Sequence, residues 1–438
     1  MGNNRLNPAT ESLYFCQDSA SWPQRFPESD TQIMRDTIID FISNLKPLAY
    51  LVLLSWTCMS FFACSSDPKT EESQNSTKVD PLILEDYRSP EQKMGFLDDS
   101  ANIAIPAQFD EVRAFSEGFA AVNIQGLWGY INTKGKRTVF PQYLGAWSFN
   151  NDRAKVQSAQ NRKVGYIDAR GDTIINLTYD EGGNYQFGFV PVKKGQYWGL
   201  LDVEGNSIMD AEYYALKVLS PDWIAAKITE EWSIYHLSSK EWIQSGLSQV
   251  FGFRNGVFRV KDKKGEYYYL DTDGEPLLSE ASYKLYPPQD GVLTRCEQKN
   301  KCYLINQNGA TLSDTYDEIR PLGESRFAIY QSNKWGLIND LGAVILPPQF
   351  EQLYSFSDGF APYQKDDLWG FIDREGRRVT SNIFGLAWPF ENGMARVLTS
   401  TGMAYLTRDL ELRKTPPSVA EIRSYSESLA AFKESPKK

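Results

Sequence analysis

The sequence predicts an all-β protein built as a tandem array of about ten antiparallel units of 34 residues. The units align on a recurring Trp-Gly pair or its replacement, whose first residues are Met94, Trp128, Val164, Trp198, Trp232, Tyr267, Cys302, Trp335, Trp369 and Met403. Successive spacings are 34, 36, 34, 34, 35, 35, 33, 34 and 34 residues. The composition agrees with this, because short strands joined by glycine turns need many aromatic residues (13%) and many glycines (31).

Residues 335–368 illustrate the elements of one unit in order. WGLIN is a strand, NDLG (339–342) is a type I turn, and AVIL is the returning strand, which Pro347 and Pro348 are predicted to end. QFEQLYSF crosses over, and the Asp-Gly turn at 358–359 leads into FAPYQ, a third strand. The glycine after each Trp is predicted to let a neighbouring backbone or indole come close. Three short strands cannot bury an apolar face alone, so each unit must pack against its neighbours.

Two copies carry a resemblance to a known family: KWGLINDLGAVILPPQFEQLYSFSDGFAPY from Lys334 and LWGFIDREGRRVTSNIFGLAWPFENGMARV from Leu368. They resemble WG-repeat (KWG-repeat) proteins, a bacterial family that includes lipoproteins, and the resemblance covers the predicted repeat domain, residues 93–433. It implies a repetitive β domain and surface or sensory roles in bacteria, and it implies no reaction. The units from Trp232 to Cys302 depart most from the pattern.

The ends of the array leave two architectures open. The first unit starts at MGFLD (94–98) without a third strand before it, whereas EIRSYSESLAAFK (421–433) supplies a third strand with no Trp-Gly after it. The last strand can pair with the first and close a propeller-like ring, or it can cap an open superhelical array. Because ten blades exceed the usual propeller size, we favour the open array on sequence grounds.

The N-terminal part predicts export. The apolar run PLAYLVLLSWTCMSFFA ends at Cys64 and has the length of a signal-peptide core, and FFAC resembles a lipobox. We therefore assign residues 1–33 to a disordered extension or misassigned start, 34–63 to a lipoprotein-type signal peptide with lipidation at Cys64, and 64–92 to a polar tether. An uncleaved signal anchor is the alternative. Residues 434–438 are predicted to be a disordered tail.

Two of the five cysteines remain within the predicted repeat domain. Cys296 and Cys302 form CEQKNKC and lie on either side of a predicted reversal, so a disulfide is expected in an extracytoplasmic compartment. Two free thiols are the alternative. No metal is expected, since the predicted repeat domain has one histidine and no further cysteine beside this pair.

The sequence offers little catalytic chemistry. A net charge of −10 without a long Lys/Arg run excludes a nucleic-acid partner. His236 and the recurring Asp or Asn residues after each Trp-Gly strand are predicted to start turns, and no nucleophilic triad can be assembled around the histidine. No nucleotide or dinucleotide fingerprint is present, so no cofactor is expected.

Candidate binding residues occupy one variable position, two residues before the aromatic or apolar residue that precedes the Asp-Gly type turn. They are Arg113, Trp147, Tyr185, Arg320, Tyr354, Trp388 and Arg423. These residue types are enriched in binding hot spots, and they also stack well between neighbouring units, so a recognition stripe and a packing stack are both open. Tyr268 in the run Tyr267-Tyr268-Tyr269 is a further candidate, either exposed for binding or filling the core.

The sequence thus predicts a non-enzymatic lipoprotein anchored in a membrane of the cell envelope, most simply the outer membrane. Its array would bind an envelope protein or a glycan or other polymeric ligand outside the cytoplasm. Two alternatives remain: a carbohydrate-active hydrolase on a propeller-like frame, which would need a carboxylate pair that breaks the repeat rule, and a structural scaffold of an envelope complex.

Overall fold

The computed structural model describes residues 90–435, and within them the chain is all-β. The predicted extension, signal peptide, Cys64 and nearly all of the polar tether lie outside the described residues, as does most of the predicted tail. The part of the chain that the structure describes contains no helix long and apolar enough to span a membrane. The described residues form consecutive antiparallel sheets, which we call blades.

Each full blade has four strands, A to D, in chain order. Blade 1 is shared between the two ends of the described chain and comprises β34 (Val419–Ser426), β35 (Leu429–Glu434), β1 (Met94–Leu97) and β2 (Ile103–Phe109). Blade 2 comprises β3 (Glu111–Val112), β4 (Phe119–Ile124), β5 (Leu127–Asn132) and the first half of β6 (Arg137–Asn150). Blade 3 comprises the second half of β6, β7 (Arg153–Ser158), β8 (Val164–Ile167) and β9 (Thr173–Tyr179).

The middle blades become shorter. Blade 4 comprises β10 (Glu181–Gly182), β11 (Val190–Lys194), β12 (Tyr197–Leu201) and β13 (Ser207–Tyr213), and blade 5 comprises β14 (Ala215–Val218), β15 (Trp223–Lys227), β16 (Trp232–His236) and β17 (Glu241–Leu247). Blade 6 has only β18 (Gln249–Arg254), β19 (Val257–Lys261) and β20 (Tyr267–Leu270), and blade 7 has only β21 (Val292–Gln298) and β22 (Lys301–Asn306).

The last blades return to the pattern. Blade 8 comprises β23 (Glu318–Gly323), β24 (Arg326–Gln331), β25 (Lys334–Asn339) and β26 (Val344–Phe350). Blade 9 comprises β27 (Gln352–Leu353), β28 (Phe360–Lys365) and β29 (Leu368–Asp373), and blade 10 comprises β30 (Leu386–Ala387), β31 (Met394–Thr399), β32 (Gly402–Thr407) and β33 (Leu412–Lys414).

Two details of the predicted unit are corrected. The crossing segment contains a short A strand, β27, so a full unit has four strands. Strand β26 runs through Pro347 and Pro348 to Phe350, and the prediction that these prolines end it was wrong. Because β26 is the edge strand of its sheet, it can accommodate residues that donate no hydrogen bond.

The Trp-Gly glycine is explained by the D strand. The D strand shifts its register opposite this glycine, and a Cβ on Gly129 would lie 2.4 Å from the carbonyl oxygen of Val139. Gly165, Gly199 and Gly336 would make the same contact with their own D strands at 2.5–2.7 Å. In blades 6 and 7 the glycine is replaced by Tyr268 and Tyr303, and these are blades without a D strand. The predicted close backbone approach is therefore confirmed.

The blades close into a ring. Strand β1 pairs with β35 over Met94↔Lys433 to Leu97↔Ala430, so blade 1 joins the two ends of the described chain. Ten hydrophobic clusters each join one blade to the next, and the tenth connects Tyr405 of blade 10 with Tyr425 and Phe432 of blade 1. The closed, propeller-like alternative is thus the one found. The number of blades did not prevent closure because every interface carries its own core.

Candidate functional site

The candidate binding residues lie between consecutive blades. We call their place in each A strand the stack position, and its backbone N–H donates to the B strand, as from Arg113 to Ala121 and from Trp388 to Arg396. Pairing registers and 34- to 36-residue spacing assign one residue per blade to it. From blade 1 to blade 10 the stack positions hold Arg423, Arg113, Trp147, Gly183, Lys217, Phe251, Tyr286, Arg320, Tyr354 and Trp388.

The register differs from the sequence alignment in blade 4. Gly183 donates its N–H to Pro191 as Arg113 does to Ala121, so Gly183 holds the stack position. Tyr185 instead lies two residues further on, where it is 1% exposed and packs edge-to-face on Tyr166. The two-residue offset arises because the sequence alignment matched Phe187 with Phe115, whereas Tyr185 holds that place, three residues before the turn glycine Gly188 as Phe115 is before Gly118.

Besides Gly183, sequence reasoning missed three members of the set in blades 5 to 7, namely Lys217, Phe251 and Tyr286. The only signal was the regular spacing counted from Arg113. Their side chains are as diverse as those of the predicted members, so residue type could not identify them.

Five of the ten stack positions cover the ring of the same blade's Trp-Gly strand. The guanidinium of Arg320 lies 3.9 Å from the Trp335 ring centroid, that of Arg113 5.1 Å from Trp128, and the Lys217 ammonium 4.7 Å from Trp232. Tyr354 stacks on Trp369 with centroids 5.1 Å apart, and Phe251 stacks on Tyr267 at 5.8 Å. Cations over indole faces and stacked rings are attractive arrangements.

Blades 3 and 10 also contain an indole ring covered by a cation, but the two side chains come from different strands than in the other blades. Their C strands carry Val164 and Met403 instead of Trp, and the indole is supplied by Trp147 and Trp388 at the stack position. The cation then comes from the B strand: Lys155 lies 4.2 Å from the Trp147 centroid, and Arg396 lies 4.9 Å from that of Trp388. One ring and one cation are therefore kept although their strands change.

The cation also binds the next blade. Arg113 donates to Ala146 O (2.8 Å), Lys217 to Val250 O (2.8 Å) and Arg320 to Leu353 O (2.6 Å). Lys155, the exchanged cation of blade 3, donates to the equivalent oxygen of Gly182 (2.8 Å), and Arg423 donates across the closure to Val112 O (3.2 Å). Four of these carbonyls belong to A strands at a sheet edge, where the cations bind exposed backbone groups, and Ala146 lies in β6, which runs from blade 2 into blade 3.

Buried tyrosines add a second bond at the same interfaces. The hydroxyls of Tyr130, Tyr166 and Tyr405 donate at 2.7 Å to the carbonyls of Trp147, Gly183 and Arg423, which are stack-position residues of the following blade. Burial raises the pKa of all three phenols, so the hydroxyls remain protonated donors. The geometry of the stack positions is thus that of inter-blade packing.

Tyr268 takes a separate place. It occupies the glycine position of blade 6, is half-buried against the cluster between blades 5 and 6, and donates to Glu266 at 2.7 Å. Tyr269 is the buried member of the run, and its hydroxyl donates to Tyr286 O at 2.9 Å.

The recurring turn residues cap their turns. Asp98, Asn132, Asp168, Asp202, Asp271, Asn306, Asn339 and Asp373 each accept the N–H groups two and four residues further on. His236 starts a similar turn, where its Nδ1 lies 2.9 Å from Ser239 Oγ and its carbonyl accepts the N–H of Lys240. The predicted turn role is confirmed. In residues 90–435 no group of three His, Cys, Asp or Glu side chains could hold a metal ion.

A second device recurs at three D-to-A links, where a carboxylate ties the link to a lysine and to a neighbouring turn. Asp110 pairs with Lys93 and accepts the N–H of Gln125 in the turn between strands B and C of blade 2. Asp180 does the same with Lys163 and Gly195, and Glu351 does it with Lys334 and Asp367. We call this residue the tie position.

Blade 7 departs from this device on both sides. Its own tie position is Tyr283, and the turn that a carboxylate would hold is instead closed by Cys296 and Cys302, which face each other with sulfurs 2.13 Å apart. The next tie position is Asp317, but Lys301, the lysine expected to pair with it, pairs with Glu297. Within residues 90–435 the Asp317 carboxylate makes no side-chain hydrogen bond or ion pair, and its backbone N–H donates to Tyr330 O.

A cavity of about 340 Å³ opens where the device is lost. Its lining includes Tyr283, the turn residues Lys299 and Asn300, Asp317 and the disulfide. The wall near Glu318 is internally paired: Lys284 lies 3.1 Å from its carboxylate, and the Tyr286 hydroxyl donates to it. Burial acts to raise the pKa of Glu318, but the Tyr286 and Lys284 contacts outweigh it and the net pKa is lowered. This is the candidate binding site.

The comparison with protein families agrees with the repeat. The WG containing repeat matches residues 94–128, 128–160, 165–198, 335–369 and 369–399, so the chain carries repeats of this family in blades 1–4 and 8–10. No match falls on blades 5 to 7 or on any residue that lines the cavity. No curated protein matches this sequence.

Several solved structures are similar to this chain at low identity. One is titled the crystal structure of the eukaryotic initiation factor (TM-score 0.43, 15% identity, 71% of this chain and 96% of that chain). Another is BamB from Moraxella catarrhalis (0.31, 9% identity, 78% and 91%). A third is PorZ of Porphyromonas gingivalis, described as an essential bacterial surface component of the type-IX secretion system (0.25, 12% identity, 75% and 58%). Scores at this level carry no functional information.

Proposed function

We propose that this chain is a non-enzymatic, lipid-anchored binding protein of the bacterial cell envelope, which holds a polymeric or protein ligand on a rigid ring. The observation that carries the proposal is the cavity beside blade 7, where the exposed Tyr283 and the Asp317 carboxylate occupy tie positions without the lysine and turn contacts that Asp110, Asp180 and Glu351 make. In a repeat protein, residues that recur in every unit usually stabilise the fold. Exposed polar groups that do not make these recurring contacts are therefore the best candidates for binding a ligand.

Export is supported by separate features. The apolar run before Cys64 and the polar stretch after it have the pattern of a lipoprotein leader and tether. The facing cysteines of blade 7 fit an oxidising compartment. Metabolic labelling with a tagged fatty acid should mark the wild type and leave Cys64→Ala unlabelled, and equal labelling of the two proteins would contradict lipid attachment at this residue.

A hydrolase is less well supported at this cavity. A general acid needs a raised pKa, whereas the pKa of Glu318 is lowered by its hydrogen-bond donors. Glu318 is therefore suited to holding Tyr286 and Lys284 in place. Turnover of an envelope polysaccharide that Glu318→Gln or Asp317→Asn abolishes would establish the hydrolase instead.

The binding proposal is tested by retention of envelope material. The full chain, purified and immobilised, is incubated with fractionated envelope polymers and proteins beside Tyr283→Ala and a matched control, Tyr214→Ala. Tyr214 holds the tie position of blade 5 and is similarly exposed (48% against 54% for Tyr283), but it lies outside the cavity. We expect Tyr283→Ala alone to lose the retained component. Equal retention by all three proteins, or by none, would exclude the cavity as the binding site.

A further inference from the structure

We infer that the cavity beside blade 7 binds a neutral, hydroxyl-rich ligand, namely a saccharide unit of a glycan chain. The inference rests on the proposed function and names the ligand class for the same site. It is argued from the charges, the exposed ring and the hydrogen-bonding groups at the cavity.

The charges around the cavity cancel. Lys284 is paired with Glu318, and Lys301 is paired with Glu297. Lys299 and Asp317 are then left as one cation and one anion in the lining. A site with no net charge attracts neither a strongly cationic nor a strongly anionic ligand from solution. It favours a ligand whose own groups are uncharged.

The remaining polar groups of the cavity can both donate hydrogen bonds to hydroxyl groups and accept hydrogen bonds from them. The Asp317 carboxylate only accepts hydrogen bonds, the Lys299 ammonium only donates them, and the Asn300 side-chain amide does both. A hydroxyl group donates and accepts, so neighbouring hydroxyls on one sugar ring can satisfy all three residues. An apolar ligand would leave the carboxylate and the ammonium unpaired against it, at a cost to binding.

Tyr283 supplies an apolar surface beside these groups. Its side chain is 54% exposed although it lines the cavity, and its backbone is fixed by a hydrogen bond from its N–H to Cys296 O at 2.6 Å. A tyrosine ring offers a rigid face at low entropic cost. The C–H face of a pyranose can lie on such a ring while its hydroxyls reach polar groups at the side.

The disulfide fixes the turn that carries the donors. It joins strands β21 and β22 directly below residues 298–301, so Lys299 and Asn300 are held over the cavity without the carboxylate tie used elsewhere. A fixed turn lowers the entropic cost of binding. The cavity volume of about 340 Å³ suits one or two sugar residues of a longer chain better than a large ligand.

The test is calorimetric titration of the full chain, kept in a detergent without a sugar headgroup, with maltotriose, an N-acetylglucosamine trimer and pentalysine. We expect saturable binding of at least one trisaccharide and none of pentalysine. Tyr283→Ala and Asp317→Ala should each weaken trisaccharide binding by at least about tenfold, whereas Tyr214→Ala should leave it unchanged. Circular dichroism would verify that each variant is folded.

Three results would overturn the saccharide assignment: no trisaccharide binding, trisaccharide binding that survives Tyr283→Ala, or preferential binding of pentalysine. Failure of this inference is distinguishable from failure of the proposed function. If Tyr283-dependent retention of an envelope component persists while both trisaccharides neither bind nor compete, the site binds another ligand. If retention does not depend on Tyr283, both fail.

Discussion

The glycine of the Trp-Gly pair shows how one atom is excluded by the backbone. A Cβ at Gly129 would meet Val139 O at 2.4 Å and Pro141 N at 2.7 Å, and neither main-chain atom can move without distorting the D strand. In blade 10 the same position is Ala404, whose D strand pairs without a register shift. The shifted D strand therefore explains the glycine in blades 1 to 4 and 8, whereas blade 5 accommodates Ser233 beside a shifted D strand and blade 9 keeps Gly370 without a D strand.

We therefore expect Gly129→Ala to lower the free energy of unfolding by about 1–3 kcal/mol, the usual cost of forcing an extra group into a packed site. Chemical denaturation measures it. The matched control is Ala404→Gly, which exchanges the same methyl group and should cost only about 0.5–1 kcal/mol through backbone entropy. Equal losses in the two variants would contradict the steric explanation.

Glu318 gives a prediction about acid stability. Its folded pKa lies below the unfolded value of 4.5, so its ionised form stabilises the fold above that pH, and this contribution disappears as the pH falls through the lowered pKa. Thermal unfolding should show a gap between the wild type and Glu318→Gln that is widest above pH 4.5 and narrows below it. Glu111→Gln is the control at the equivalent, exposed position of blade 2, and a gap that does not vary with pH would refute the assignment.

The role of a residue was predictable from sequence where the same residue type recurs at the equivalent position of most repeat units. The turn-starting Asp and Asn residues were identified from sequence because all of them make the same local contacts. The stack positions were only partly identified, since an indole or a cation can reach the same space from two different strands. Asp317 was missed entirely, because its significance lies in contacts that its counterparts Asp110 and Asp180 make and it does not.

At the scale of the blade, the stack is a device for docking one sheet on the next. The indole and the cation can change strands, as between blades 2 and 3, provided that the cation still reaches the A-strand carbonyl of the following blade. This freedom explains why the position varies in sequence although its task is constant. Variation alone therefore did not mark a recognition surface.

Trp147→Ala should accordingly destabilise the fold. The indole lies between Arg113, at 5.7 Å, and Lys155, at 4.2 Å, so its removal leaves a gap between blades 2 and 3 and should cost roughly 2–4 kcal/mol. Phe140→Ala, at a ring that is 70% exposed, is the control and should stay within about 0.5 kcal/mol of the wild type. Ligand retention should persist in Trp147→Ala below its unfolding temperature; if stability is unchanged and retention is lost, the stack positions are a recognition stripe after all.

The strand pattern of the unit was predictable, but its edges were not. Alternation and turn signals gave the B, C and D strands, whereas the A strand is only two residues long in several blades and is fixed by its neighbours. The course of β26 through Pro347 and Pro348 depends on being at a sheet edge, which a local sequence window does not contain.

At the scale of the whole molecule, closure makes the ring one cooperative body. Blade 1 takes two strands from each end of the described chain, and its clusters reach both blade 2 and blade 10. Sequence analysis identified the two strands at each end of the array that form blade 1. It nevertheless favoured an open array, because ten blades exceed the usual size of a propeller. The number of units was predictable from their period, and the closure was not, because it depends on the small rotation between successive blades.

Deletion of residues 419–438 tests the closure. It removes β34 and β35 with Phe432, and it uncovers apolar faces of blades 1, 2 and 10, so we expect a loss of at least about 3–5 kcal/mol, the cost of one large core deletion. Thermal unfolding and limited proteolysis would measure it, with deletion of residues 436–438 as the control. An unchanged unfolding midpoint would show that the stability of the ring does not depend on its seam, the pairing of β35 with β1 in blade 1.

The seam is also where the chain enters the ring. The Glu434 N–H donates to Lys93 O at 2.9 Å, and β1, which follows at once, lies between β35 and β2. Any pull on the ring from the preceding segment is therefore borne first by the same hydrogen bonds that keep the circle shut. Mechanical attachment and ring integrity share one strand, so a load strong enough to detach the chain from blade 1 would also open the ring.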